Sequence, residues 1–119
     1  KLLKERDFGI FQGRPKEEFF RALKESGKQF HEFVPEWGES CQSVQRRAVK
    51  FFNKILKKYF NKTVLVVTHA SIIVELLVYL TKLPREKLKQ EKASLNIIEV
   101  TKDKEIKIVA INDIKHLKK

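Results

Sequence analysis

The run of residues 64–69 limits the possible folds of this chain more than any other segment. It reads Val-Leu-Val-Val-Thr-His and leads into a mostly apolar stretch over residues 72–80. A β-branched apolar run of this length is typical of a strand that is covered on both faces, as in a parallel sheet. Ligands of such sheets bind beyond the carboxyl ends of the strands, where the next helix offers backbone N–H groups to an anion. The pattern therefore predicts that His69 lies at an anion-binding site.

The pattern of apolar residues along the rest of the chain predicts further helices and strands. Helices are expected over residues 15–27, 40–59 and 71–80, and strands over residues 63–68, 94–100 and 105–111. A short polar segment separates the last two strands and is suited to a hairpin. Residues 28–38 carry aromatic side chains without a regular period, which predicts an ordered loop that is either a lid or a cover for the core edge.

Length and composition exclude several classes of protein. The 119 residues are enough for one domain. Cys41 is the sole cysteine and cannot form an internal disulfide, which favours a reduced, intracellular protein. No segment approaches the roughly 18 uncharged apolar residues that a membrane span needs. We therefore expect a cytoplasmic protein that has no membrane partner.

The net charge of +11 allows two interpretations. One is a nucleic-acid binder, and the other is a lysine-rich surface around a site for a small anion. The lysines are dispersed over a helix, a connector and the tail, without a glycine-rich or aromatic RNA-binding signature. This dispersion favours a small anion over nucleic acid. A nucleic-acid binder stays the alternative, and its affinity would fall steeply with salt.

The amino-terminal segment contains a candidate general acid. Glu5 precedes two glycines, Gly9 and Gly13, in a sequence typical of a tight loop that approaches another group closely. A partly desolvated carboxyl group holds its proton nearer to neutral pH and can protonate a leaving alkoxide. A surface pair between Glu5 and Arg6 is the alternative. The residues of this segment alone leave both interpretations open.

Five short segments, in their order along the chain, resemble a known family. They are residues 3–9, Gln12-Gly13, Gly38-Glu39-Ser40 with Val44 and Arg47, residues 66–70, and Asn112-Asp113 with His116-Leu117. Together they closely resemble the carboxyl-terminal half of the histidine phosphatase, or phosphoglycerate mutase-like, superfamily. The stretch Phe-Val-Pro-Glu-Trp-Gly-Glu-Ser over residues 33–40 resembles the sugar-bisphosphatase members most, among them the TIGAR-type fructose-2,6-bisphosphatases.

The resemblance implies a phosphatase that acts on a small phosphorylated metabolite, a sugar bisphosphate or another phosphomonoester. In this family a histidine of an Arg-His-Gly motif attacks phosphorus and forms a phosphohistidine. A glutamate that aligns with Glu5 shuttles the proton, and a second histidine that aligns with His69 holds the phosphoryl group; such a transfer depends on fixed charge and hydrogen-bond donors. Phe8 and Lys16 resemble positions that contact the rest of the substrate, and Ala70 stands where the family usually has glycine beside the phosphate. No cofactor and no metal are implied.

The chain departs from the family pattern because the nucleophile is missing. It has no Arg-His-Gly motif, and its other histidines, His31 and His116, stand in different sequences. It also contains no Met and begins without the signals of a first strand and turn. We therefore expect residues 1–119 to be the carboxyl-terminal part of a single histidine phosphatase domain, inactive alone. Its partner would be the missing amino-terminal half, in the same or another chain.

The fold that the resemblance implies is a three-layer α/β sandwich with a mostly parallel sheet, whose amino-terminal strand and helix are missing from this chain. Residues 63–68 should form a central parallel strand, and the last two strands should lie toward one sheet edge. The Glu5 carboxylate and the His69 imidazole should face each other across one oxyanion pocket. Two alternatives remain for the function: a phosphoglycerate mutase-type phosphotransfer and a non-catalytic domain that binds a phosphorylated ligand.

Overall fold

The computed structural model of the chain describes residues 2–117, so the two ends of the expected 1–119 domain lie outside the described residues. It contains three helices, α1 (Lys16–Ser26), α2 (Cys41–Tyr59) and α3 (Ala70–Thr81). Two strands follow, β1 (Leu95–Val100) and β2 (Ile106–Asp113). Short 3-10 turns lie at Gly9–Phe11, Arg85–Lys87 and Lys115–Leu117. None of the helices described over residues 2–117 is both long and apolar enough to cross a membrane.

Local sequence signals set the ends of the helices. The Ser40 hydroxyl caps α2, since it accepts a hydrogen bond from the Ser43 amide at 3.0 Å and so satisfies a backbone donor of the first turn. Gly27 ends α1 with a φ of 71°, and Lys82 ends α3 with a φ of 62°; both are left-handed conformations that close a helix. The predicted bounds of all three helices are confirmed to within one residue.

The core of the molecule lies between α2 and α3. Val44 and Ala48 of α2 pack against Ile72 of α3, and all three side chains are buried. Leu3, from the amino-terminal segment, and Leu76 pack against this cluster. Burial of apolar surface is the main force that holds these elements together. The core therefore fixes the amino-terminal segment relative to α3, and so relative to the His69 that precedes α3.

A buried ion pair ties the middle of α3 to the turn that follows it. The Arg85 guanidinium donates two hydrogen bonds of 2.7 Å to the two carboxylate oxygens of Glu75, the bidentate geometry that gives strong pairing. The Glu75 side chain is only 4% exposed. Cys41 is buried in the same region, and this burial raises the pKa of its thiol. Cys41 is thus a packing residue of this region.

The two strands form the predicted hairpin. They are antiparallel, with Ile98 opposite Ile108 and Val100 opposite Ile106. The Thr101 amide donates to the Glu105 carbonyl at 2.9 Å and closes the turn. No residue of either strand is fully buried in the described structure, so the hairpin contributes little to the core.

The parallel sheet expected around residues 63–68 is not found among residues 2–117. These residues belong to no helix or strand, none of the described residues forms a sheet with them, and the two-stranded antiparallel hairpin is the sheet that the described chain forms. The expected burial on both faces is not found among the described residues either, because Leu65 is 82% and Val67 is 85% exposed. A strand exists only with a partner that supplies backbone hydrogen bonds. The described residues contain no such partner for this segment.

Candidate active site

An ion pair between Glu39 and Arg47 lies beside the segment that carries Glu5. The Arg47 guanidinium donates through Nε to Glu39 Oε2 at 2.8 Å and through Nη2 to Glu39 Oε1 at 2.7 Å. The Ser43 hydroxyl donates to Oε2 at 2.9 Å, and the Asp7 amide donates to Oε1 at 3.3 Å. These bonds, with that from Arg47 the largest cause, outweigh partial burial and lower the pKa of Glu39 from 4.5 to about 2. Glu39 is therefore a carboxylate at neutral pH.

An open cavity of about 580 Å³ lies between this ion pair and the amino-terminal segment. Glu5 forms part of its wall, together with Lys4, Asp7, Val34, Gly38, Glu39, Ser40, Ser43 and Arg47. Its volume falls in the range of about 300 to 1,000 Å³ that small-molecule sites occupy. Within residues 2–117, no three His, Cys, Asp or Glu side chains come together as metal ligands. The wall of the cavity thus carries three carboxyl groups, those of Glu5, Asp7 and Glu39, and two cationic side chains, Lys4 and Arg47.

A hydrogen bond joins the segment of Glu5 to the segment of His69. The Thr68 hydroxyl donates to the Leu3 carbonyl at 2.9 Å. His69 follows directly at the N-cap of α3, in an extended conformation with a φ of −119° and a ψ of 156°, and its side chain makes no capping bond. The residue is exposed. Its imidazole is therefore accessible at the helix end where backbone N–H groups lack intrahelical partners.

Arg6 connects the amino-terminal segment to the aromatic loop over residues 28–38. Its side chain is 2% exposed, and it donates through Nε to the Glu39 carbonyl at 2.9 Å and through Nη2 to the Phe33 carbonyl at 2.8 Å. The guanidinium also lies 5.2 Å from the Phe8 ring centre and 5.3 Å from that of Phe30, which are favourable cation–π distances. Arg6 thus holds this loop against the segment that carries Glu5.

Most of the aromatic loop covers the edge of the core. Phe30 and Phe33 pack edge-on against Phe19 of α1, with ring centres 5.9 and 5.5 Å apart. Trp37 differs, since it is 84% exposed and has a φ of 60°. Phe30 and Phe33 therefore cover the edge of the core, which is one of the two predicted roles of this loop. Trp37 instead projects into solvent.

The model of the histidine phosphatase superfamily, branch 1, matches residues 1–114. The chain belongs to the histidine phosphatase superfamily. Fructose-2,6-bisphosphatase TIGAR B of Danio rerio is 34% identical over 61 residues, which are 51% of this chain and 22% of that protein. The solved structure of Bacillus stearothermophilus YhfR has a TM-score of 0.84 and 25% identity, and the match covers 98% of this chain and 61% of that one. This chain therefore spans less than two thirds of the length of either protein.

These similarities confirm the family that the five segments indicated, and the α/β fold of the chain is that of a histidine phosphatase structure. Among the predicted site residues of this histidine phosphatase chain, Glu5 is half-buried in the wall of the cavity. His69 and Ala70 lie at the start of α3, outside that wall, and the bond between Thr68 and Leu3 joins the two segments. That the Glu5 carboxylate and the His69 imidazole face each other across one pocket stays a prediction.

The two predicted substrate contacts lie elsewhere in this structure. Phe8 packs edge-on against Phe19 with ring centres 5.2 Å apart. Lys16, the first residue of α1, lines a separate shallow cavity with Phe20 and Lys24. Neither side chain lines the cavity that Glu5 lines, so their roles stay predictions from the resemblance.

Sequence reasoning did not select Glu39, Arg47 or Arg6 as parts of the site. Glu39 and Arg47 contributed to the resemblance, but Glu39 precedes the Ser40 cap of α2, so the spacing of residues along a helix does not predict their pairing. No such signal exists for Arg6 either. Arginine is almost never fully buried unless it is paired, and the carbonyl partners of Arg6 cannot be read from spacing.

Proposed function

We propose that this chain is the part of a phosphomonoester phosphatase that supplies the proton-transferring carboxyl group, Glu5, and the phosphate-site histidine, His69. Membership of the histidine phosphatase superfamily over residues 1–114 supports a phosphatase. The hydrogen bond from Thr68 to Leu3 carries the proposal, because it joins residues 65 positions apart. It thereby brings the segments of both functional residues together at the start of α3.

The nucleophile of the proposed enzyme comes from polypeptide outside this chain, the amino-terminal half in the same or another chain. The sequence has no Arg-His-Gly motif, and the match to YhfR leaves part of that structure uncovered. The apolar segment before His69 belongs to no sheet in the described residues. We propose that a strand of the amino-terminal half pairs here and completes the parallel sheet of a three-layer sandwich. Residues 1–119 would then be the carboxyl-terminal part of a single domain.

The reaction proceeds in two phosphoryl transfers. First, the imidazole nitrogen of the external histidine bonds to phosphorus, the bond to the ester oxygen breaks, and Glu5 gives its proton to that oxygen. Then water attacks the phosphohistidine, its proton passes to the Glu5 carboxylate, and the phosphorus–nitrogen bond breaks to release phosphate. His69 and the first N–H groups of α3 hold the phosphoryl oxygens throughout. Positioning and fixed charge provide most of the catalysis in such transfers.

The substrate class of the proposed phosphatase is a small phosphorylated metabolite. The net charge of +11 attracts anions, and the volume of about 580 Å³ suits a small molecule. The Danio rerio relative is by its name a fructose-2,6-bisphosphatase, which supports a sugar bisphosphate among the phosphomonoesters. A buried free thiol, Cys41, fits a reducing cytoplasmic location.

The test of this function is the replacement His69→Ala in the full-length natural protein. We expect kcat for p-nitrophenyl phosphate to fall by about 100-fold or more, because the site loses a donor to the phosphoryl oxygens. An acid-labile phosphohistidine should accumulate in the wild type during turnover. His116→Ala is the matched control, since the His116 ring contacts the Ala93 carbonyl at 2.8 Å, beside the hairpin, and should leave kcat nearly unchanged.

Two results would contradict the proposal. A His69→Ala variant with the wild-type rate would remove His69 from the site. A wild-type protein that binds inorganic phosphate but hydrolyses no phosphomonoester would instead identify the non-catalytic binding domain. Turnover that depends on transfer between two phosphorylated metabolites, rather than on release of phosphate, would identify a mutase.

A further inference from the structure

Every hydrogen-bond donor of the Arg47 guanidinium is engaged. Nε and Nη2 bind the Glu39 carboxylate, as described above. Nη1 donates to the carbonyl oxygens of Leu2 at 2.9 Å and of Lys4 at 2.6 Å, and Nη2 donates to the Glu5 carbonyl at 3.2 Å. A guanidinium has five N–H donors, and these five bonds use all of them. Arg47 therefore has no donor left for a phosphate oxygen, although it lines the cavity.

The bonds of Arg47 fix the backbone on which Glu5 stands. The three carbonyl groups that it binds belong to residues 2, 4 and 5, a stretch without helix or strand structure of its own. Such a stretch has no ladder of backbone bonds to hold it in place. Side-chain donors from α2 therefore provide the ordering that secondary structure provides elsewhere.

Glu39 holds Arg47 in the orientation that these bonds require. Its carboxylate binds the guanidinium through two bonds and is itself bound by the Ser43 hydroxyl and the Asp7 amide. Both side chains are mostly buried, at 17% exposure for Arg47 and 15% for Glu39. A bidentate pair of this kind restricts the rotation of the guanidinium. The backbone of residues 2, 4, 5 and 7 is thus bound to the ion pair between Arg47 of α2 and Glu39, which precedes α2.

We propose that Arg47, oriented by Glu39, is the positioning residue of Glu5. By fixing the backbone of residues 2–5 it holds the Glu5 carboxyl group where that group meets the leaving oxygen of the substrate. One carboxyl oxygen of Glu5 accepts the Arg6 amide at 2.8 Å, so the side chain is oriented from the same fixed backbone. The inference rests on the proposed function, in which Glu5 gives its proton to the leaving group.

The experiment compares two substrates in the Arg47→Lys variant of the full-length natural protein. Glycerol 3-phosphate has an alkoxide leaving group that needs a proton, whereas p-nitrophenyl phosphate has a stabilised phenolate that leaves without one. Lysine keeps the charge of Arg47 but not its planar fork. We expect kcat/KM to fall about 100-fold for the alkyl ester, the cost of a misplaced general acid, and less than about 3-fold for the aryl ester.

Three further variants control the comparison. Arg46→Lys changes the exposed neighbour of Arg47 on the same helix and should leave both rates within about 2-fold of wild type. Glu5→Gln should reproduce the selective loss. Adding Arg47→Lys to Glu5→Gln should cause little further loss for the alkyl ester, because residues that act as one unit are not additive.

An equal loss for both esters, or no loss for either, would overturn the positioning role. Glu39→Gln serves as the second probe if Arg47→Lys does not fold, and it should give a selective loss of about 10-fold on the alkyl ester. A failure of the proposed function would give a different result, because the wild type would then hydrolyse neither ester. In that case hydrogen exchange tests separately whether Arg47 orders residues 2–7. The amides of these residues should exchange faster in Arg47→Lys than in Arg46→Lys. Equal exchange in the two variants would overturn the inference.

Discussion

Gly9 and Gly13 differ in what surrounds them, although both have a positive φ. At Gly9 the φ is 59°, and an added Cβ would lie 2.0 Å from the Glu36 carbonyl oxygen and 2.5 Å from the Gly38 nitrogen. At Gly13 the φ is 75°, and nothing lies within 4 Å of an added Cβ. Gly9 is thus required by both conformation and space, and it lets the Glu5 segment lie directly against the aromatic loop.

Replacement of each glycine by alanine should separate these two requirements. Gly13→Ala should lower the free energy of unfolding by about 1 to 2 kcal/mol, because alanine is strained in the left-handed conformation. Gly9→Ala must also displace the backbone of the aromatic loop, and we expect it to lose at least about 3 kcal/mol of the free energy of unfolding. Urea denaturation of both variants measures the difference. Equal losses would show that the close approach of the two loops is unimportant.

Among the elements, α3 depends on a buried ion pair as well as on its apolar face. The pair between Glu75 and Arg85 bridges α3 and the turn after Pro84, and Glu75 is nearly inaccessible to water. A buried carboxylate that loses its partner is strongly destabilising. An exposed pair, such as that between Arg14 and Glu18 with 58% and 39% side-chain exposure, contributes little.

We expect Arg85→Ala to destabilise the protein by about 3 to 5 kcal/mol, because it leaves the Glu75 charge buried without a partner. The double variant Glu75→Gln with Arg85→Ala should recover part of this loss, since no charge then remains buried. Arg14→Ala is the control and should cost less than about 1 kcal/mol. Thermal and urea unfolding report these values, and similar losses for Arg85→Ala and Arg14→Ala would contradict the role of burial.

Considered as a whole, the molecule exposes an apolar segment directly before its candidate phosphate-site histidine. Leu65 and Val67 point away from the core, at 82% and 85% exposure, and Val64 and Val66 are 42% and 36% exposed. Exposed apolar segments with unpaired backbone are rare in folded proteins unless another strand covers them. This is the feature that an amino-terminal strand would cover in the proposed complete domain.

Val67→Lys in the full-length natural protein tests this arrangement. If a strand and a helix layer cover Val67 there, the lysine should cost about 3 kcal/mol or more of the free energy of unfolding, because an apolar contact is lost and a charge is buried. Phe20→Lys, at a residue of α1 that is 52% exposed, should change stability by less than about 1 kcal/mol. Tolerance of both lysines alike would mean that residues 64–67 remain uncovered, and the proposed completion of the sheet would be wrong.

The sequence by itself determined the three helices, the hairpin and the family. Helices and hairpins depend on apolar periodicity, caps such as Ser40 and turn residues such as Gly27, and these signals lie within a few residues of what they control. The family was identified from the order of five short segments, with Glu5 in the first and His69 in the fourth.

Only the tertiary structure decided which residues hold the site together. Three bonds of the Arg47 guanidinium reach carbonyl groups 42 to 45 positions away, and Arg6 reaches the Phe33 carbonyl 27 positions away. The expected central strand over residues 63–68 also depends on tertiary contacts, because a strand forms only where a second backbone supplies its hydrogen bonds. Bonds to backbone atoms leave no pattern in the order of side chains, so they become visible only when the folded chain brings distant segments into contact.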